Sequence, residues 1–255
     1  MKTAAIALCV LLSPITARTQ DQHIAAPSTS DAAPTLCVSG VKSAMRARNQ
    51  AIPAAIKPHL PSTAFVRMVL ALSATDTLTI YELGNWGRYW ERFDSNRTDA
   101  GELTDPDTQL LITRSGRPVF RLALKDVHAA DWDDWGVGAV AMKAAHLCTN
   151  DSDMTYLVLQ EGNAGGFYVA LRRFRDDYRL LPVSDAEQGR LVLSVSRPQN
   201  AEVWTAAEPG VCTACPKRFE IRNYKFNGTG FDLVSRKLSK REYSGFQDDP
   251  LLVRH

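Results

Sequence analysis

Cys212-Thr213-Ala214-Cys215-Pro216 sets two sulfurs three positions apart, the spacing of a redox dithiol or of half a zinc site. Thiol exchange wants the first cysteine at a helix N-terminus, where the dipole favours the thiolate. Here Pro216 follows, and then the strand-like run RFEIRNYKF. The pattern therefore favours a disulfide that tightens a loop. No histidine follows Cys215, as covalent haem attachment would require. A three-Cys, one-His zinc set would have to draw His146 and Cys148 to Cys212 and Cys215, and only the Cys-x-x-Cys half has ligand spacing. No metal and no other cofactor is expected.

The aromatic cluster Trp86, Tyr89 and Trp90, with Arg88 among them, is the candidate binding surface. Rings of this kind stack on a sugar or another ring when exposed, and cover the end of a core when they are not. Asn150, Asp151 and Asp153 imitate the start of a calcium loop. The remaining positions fail, with Tyr156 where a turn glycine belongs and Gly162 where the bidentate glutamate belongs. Arg236, Lys237, Lys240 and Arg241 form an interrupted basic run that reads as a solvated face.

Catalytic signatures are missing. There is no G-x-S-x-G, H-E-x-x-H, phosphate loop or dinucleotide fingerprint. Histidines are sparse: His23, His59, His128, His146 and His255. Carboxylate pairs could serve a hydrolase, but no pair is singled out.

The compartment decides how the cysteines are read. Lys2, the short apolar run Ala4–Leu12 and the small residues before Ala17 have the three-part layout of a secretory signal peptide, cleaved near Ala17. The run is too short to span a bilayer, which takes about 20 residues. Cys9 leaves with it, and it is no lipid-attachment site because Leu8 precedes it where a small residue is wanted. Cys37, Cys148, Cys212 and Cys215 remain, an even set that favours disulfides in an exported chain. Of three possible connectivities, Cys212–Cys215 with Cys37–Cys148 is favoured, because closing a four-residue loop is easy. A formal net charge of +2 over 255 residues gives no footprint for nucleic acid. No later apolar run reaches transmembrane length.

The elements follow from composition and period. Residues 18–36 are rich in Ala, Pro, Ser and Thr and read as a mobile leader. Residues 40–52 predict one short helix, ended by Pro53. FVRMVLALS and TLTIYEL predict strands, residues 84–107 mostly loop, and LLITR-SG-RPVFRLAL a hairpin turning at Ser115-Gly116. Residues 131–147 predict the central helix, with Asp131 as its cap and Trp132, Trp135, Ala139 and Met142 at helical spacing. Beyond Asn150 strand follows strand. Segments 155–184 and 202–236 match as a repeat, with Phe167, Phe174 and Tyr178 answering Phe219, Phe226 and Phe231. Residues 246–255 read as a tail.

The expected fold is mainly β: antiparallel hairpins and meanders over 37–245, with propeller-like repeats as one form they could take. The expected function is an exported, non-enzymatic protein that binds an unknown ligand or envelope partner through Trp86, Arg88, Tyr89 and Trp90. The alternative is an envelope enzyme, either a carboxylate hydrolase or a thiol–disulfide oxidoreductase using Cys212 and Cys215.

Overall fold

The structure, a computed structural model, describes residues 40–45, 51–83, 107–124, 141–149, 152–161, 165–175, 177–208, 212, 215–244 and 249–255. Runs of β-branched, aromatic and leucine residues between turn residues build β1 (Gly40–Met45), β2 (Phe65–Ala71), β3 (Asp76–Leu83), β4 (Asp107–Arg114) and β5 (Arg117–Ala123). There follow β6 (Ala141–Thr149), β7 (Ser152–Glu161), β8 (Gly165–Phe174), β9 (Asp177–Glu187) and β10 (Arg190–Ser194). The chain ends with β11 (Asn200–Ala206), β12 (Phe219–Phe226), β13 (Phe231–Leu238) and β14 (Leu251–Arg254).

They form three sheets. The first is the meander β2-β3-β4-β5, the second is β1-β6-β7-β8-β9, and the third is β13-β12-β11-β10-β14. All pairings are antiparallel except β10 with β14, which run parallel with Leu191 opposite Leu251. The expected Ser115-Gly116 turn joins β4 to β5, and both residues have positive φ, 49° and 78°. That is the conformation a two-residue hairpin needs.

The sheets stack through two cores. Met68, Leu78, Ile80, Leu110 and Ile112 of the first sheet meet Met142, Leu157, Leu159, Val169 and Leu171 of the second. On its other face the second sheet gives Met154, Tyr156, Val158 and Tyr168 to Leu191, Leu193, Ala201 and Val203 of the third. The middle sheet is therefore apolar on both faces, so β7 is buried almost continuously rather than at alternate positions. The outer face of the first sheet is also covered. Ile52, Ile56 and Leu60 lie over Val66, Tyr81 and Leu111. Pro53, Pro58 and Pro61 limit that covering segment to one 3-10 turn, Lys57–His59. On the outer face of the third sheet Tyr243 packs on Trp204 and Phe219, while the end at Asn200, Glu202, Asn223 and Lys225 has no such cover among the described residues.

Three expectations need correction, and a fourth is not shown. Residues 141–147 of the predicted central helix are strand β6, and residues 131–140 lie outside the described residues. Alanine and methionine favour helix locally, but β6 is hydrogen-bonded to β1 and β7, and Ala144 and Ala145 are small enough to sit between two cores. The predicted helix over 40–52 is replaced at its start by strand β1, which borders β6. Residues read as a tail supply β14, with Leu251 buried in the second core. The meanders pack face to face, and no core cluster of described residues joins the first sheet to the third, so no propeller ring is seen. The two matched segments fall on β7-β8-β9 and β11-β12-β13, which hold equivalent places in consecutive meanders. The signal peptide and leader lie outside the described residues.

Candidate functional site

Trp86, Arg88, Tyr89 and Trp90 all lie outside the described residues, as does Cys37. Cys212 and Cys215 are joined in a disulfide, their Cα atoms 5.2 Å apart. The Cys215 N–H donates to the Cys212 carbonyl at 3.0 Å, closing a tight turn. The buried Lys217 ammonium donates to the same carbonyl at 2.7 Å and also to Gln188. Strand β12 begins four residues after Cys215, so the helix start that would lower a thiolate pKa is missing. Cys148 is disulfide-bonded as well, to a partner outside the described residues. With these sulfurs oxidised, the thiolates a zinc set of His146, Cys148, Cys212 and Cys215 needs are not present. Among the described residues no three His, Cys, Asp or Glu side chains converge as a metal site requires.

The buried ionisable groups are committed to structure. Asp76, fully buried at the start of β3, accepts from Arg114 Nε at 3.0 Å, Tyr178 Oη at 2.7 Å and Thr75 Oγ1 at 2.9 Å. Burial pushes its carboxyl pKa up, but these bonds outweigh burial and hold it below the ordinary aspartate value. Glu82 pairs with Arg67, both nearly inaccessible, and there burial wins and raises the carboxyl pKa. His146 of β6 shares a hydrogen bond with Thr155 Oγ1 at 2.9 Å, and Asp153 lies 3.7 Å from its ring. Burial lowers the imidazole pKa against the pull of Asp153, and burial raises that of Asp153 against the pull of His146 and Arg173. These groups tie sheets and strands together rather than opening onto a substrate space.

A concave surface does open on the outer face of the third sheet. In β10, β11 and β14 the inward positions are Leu191, Leu193, Ala201, Val203 and Leu251. The alternation then turns Ser194, Asn200, Glu202 and Arg254 outward. Cross-strand pairing sets Lys225 beside Asn200 and Asn223 beside Glu202. Two successive turns, Arg197 N–H to the Ser194 carbonyl and Asn200 N–H to the Arg197 carbonyl, bring Arg197 over the same rim. Together with Val192, Tyr224 and Val234, these residues line a half-open hollow of about 210 Å³.

The charge there is uneven. Arg197, Lys225 and Arg254 supply three cations against one carboxylate, Glu202. Glu202 accepts from Trp204 Nε1 at 2.7 Å, and Arg254 lies 3.6 Å from it. Arg197 and Lys225 make no ion pair with any described residue. Asn200 Oδ1 is shielded from solvent yet has no hydrogen-bond donor. The NAEVWTA alternation could have flagged Asn200 and Glu202 as one polar face. Arg254 was hidden in a segment read as a tail, and Arg197 in a turn.

Between the described strands of the three sheets no helix is long and apolar enough to cross a membrane. Neither a family model, nor a curated protein, nor a solved structure matches the chain.

Proposed function

We propose that the protein is an exported, non-enzymatic binding protein of the cell envelope or the exterior, and that it binds through the outer face of its third sheet. One observation carries this reading: a half-open hollow of about 210 Å³ on the outer face of the third sheet, whose rim holds Arg197 and Lys225, neither of them in an ion pair with a described residue. Binding sites are typically concave, with a few convergent polar groups. Export is supported by the layout of residues 1–17 and by the oxidised cysteines.

The enzyme reading has less support. Among the described residues, Asp76 and Glu82 are buried and paired with Arg114 and Arg67. Cys212 lacks the electropositive helix start of an exchange thiol. The test is native mass spectrometry of protein taken from the exported fraction. A non-covalent small-molecule adduct is expected on the native chain and not on the Arg197→Glu, Lys225→Glu double variant. An adduct on both, lost instead from Trp86→Ala, Trp90→Ala, would move the site to the aromatic segment.

A further inference from the structure

We infer that Arg172 and Arg179, stacked on Phe174 and Phe226 at one end of the second sheet, form a binding site for a tetrahedral oxyanion, a phosphate or sulfate group. None of these four residues lines the hollow on the third sheet, so the inference does not depend on the reading above.

The β8–β9 register sets Arg172 directly opposite Arg179, with Phe174 two residues nearer the turn on the same face. The Arg172 guanidinium lies 4.1 Å from the centre of the Phe226 ring and 5.1 Å from that of Phe174. The Arg179 guanidinium lies 4.8 Å from the centre of the same Phe174 ring. Phe226 comes from β12, so half-buried Arg172 is held from both the second and the third sheet. Stacking of this kind fixes a guanidinium without using its N–H donors. No Arg172 nitrogen is shut off from solvent, and neither arginine has a hydrogen bond or ion pair to a described residue. Counter-charge is short on this face. Met154 is the neighbour of Arg172 on β7. Asp153 lies on the opposite face, 3.7 Å from the His146 ring, and Asp177 accepts from the Tyr178 N–H at 2.8 Å. Like charges directly opposite each other weaken a ladder. An oxyanion between them offsets that repulsion and supplies the missing acceptors. Two guanidinium forks take two oxygen edges. A carboxylate has one such edge, and a phosphate or sulfate group has several.

The experiment titrates the full chain at fixed ionic strength with inorganic phosphate, phenyl phosphate, sulfate and acetate, followed by amide NMR shifts. Phosphate and sulfate are expected to saturate one site, with shifts gathered on residues 172–179 and 226. Acetate should bind at least about tenfold more weakly. Arg172→Lys keeps the charge and loses the fork, and should weaken phosphate binding at least about tenfold. Arg179→Gln should match it, and because Arg179 is exposed this variant tests the site even if others fail to fold. Phe226→Leu leaves both cations but frees Arg172, and should weaken binding severalfold. Arg175→Gln removes an exposed cation of the same turn and should change nothing. Unchanged urea midpoints in chloride check the fold of each variant. Tighter binding of phenyl phosphate than of inorganic phosphate supports the site and assigns the group to an organic molecule, and the reverse order supports it as a site for the free ion. Shifts that never saturate, acetate binding as tightly as phosphate, or an equal loss in Arg175→Gln would reduce the pair to general surface charge and overturn the inference.

Discussion

Tyr178 of β9 donates its phenolic proton to Asp76 of β3 at 2.7 Å, a bond that crosses from the second sheet to the first at the edge of their shared core. The carboxylate it meets is already gripped by Arg114, so the three side chains act as a clasp between layers. Tyr178→Phe keeps the ring against Phe120 and removes only this bond. A loss of about 1.5–3 kcal/mol is expected, the range for a hydrogen bond to a charged group. Asp76→Ala leaves Arg114 without its carboxylate and should cost more. Urea midpoints with unchanged m-values measure both. A Tyr178→Phe protein as stable as the native one would show that the clasp does not hold the layers.

Acid should weaken the fold first through His146. Its pKa is depressed in the folded state, because burial between sheets disfavours the imidazolium more than Asp153 favours it. The unfolded chain then binds more protons as pH drops through the ordinary histidine value of 6.5. Stability is full above that value and falls as pH goes below it. The raised pKa of Asp153 acts in the opposite sense, since its folded carboxyl takes up a proton early. Comparing urea midpoints at pH 7.5, 6.5 and 5.5 in native and His146→Asn proteins isolates the first effect. The variant should show a flatter profile over that range, and parallel profiles would count against it.

The disulfides make a prediction of pairing and of unequal worth. Peptide mapping without reductant should give Cys212 joined to Cys215, and Cys148 joined to Cys37. Strand β1 begins three residues after Cys37 and pairs with β6, where Gly40 faces His146, two residues before Cys148. In the chain-entropy picture the four-residue loop is worth about 2 kcal/mol and a loop of roughly 110 residues nearly 5. Cys212→Ala with Cys215→Ala should therefore lower stability modestly. Cys148→Ala should lower it by more than twice as much.

Gly189 is required by crowding rather than by backbone freedom. A Cβ there would stand 2.0 Å from the Trp204 carbonyl oxygen and 2.8 Å from the Ala186 Cβ. The β9–β10 connection thus runs directly against β11. Gly189→Ala must push the two apart, with an expected cost of about 3 kcal/mol or more. The same shift disturbs Trp204, so loss of near-ultraviolet circular dichroism from that ring should accompany the lower urea midpoint.

Much of the fold could be read from local signals where period and punctuation agreed. Leu78 and Ile80 alternate with Thr79 and Tyr81, and the Ser115-Gly116 turn sits between two apolar runs, so β3, β4 and β5 stood out. Reading failed where local preference and tertiary demand disagree. Ala-Met-Lys-Ala-Ala-His-Leu is a helix former in isolation, yet as β6 it supplies the slim side chains that let a sheet pack on both faces. The cavity was less legible than the fold. Its rim joins Arg197, Lys225 and Arg254 from three separated stretches, and only cross-strand register brings them together. No spacing within one segment announces such a set.

Burial of the middle sheet on both faces has a consequence for how faithfully the chain can assemble. In a one-sided sheet, a strand that slips by one residue turns charges inward, and the error is rejected at once. In β7 a slip exchanges Leu157 for Tyr156 or Val158, apolar for apolar, so greasiness alone does not tell right from wrong. Alignment must be read from the few polar teeth that mesh in a single position. His146 engages Thr155 directly across the β6–β7 ladder, and Tyr156 reaches the Pro198 carbonyl at 2.7 Å. These bonds serve as proofreading marks, and a chain stripped of them would lose its single answer before it lost its compactness.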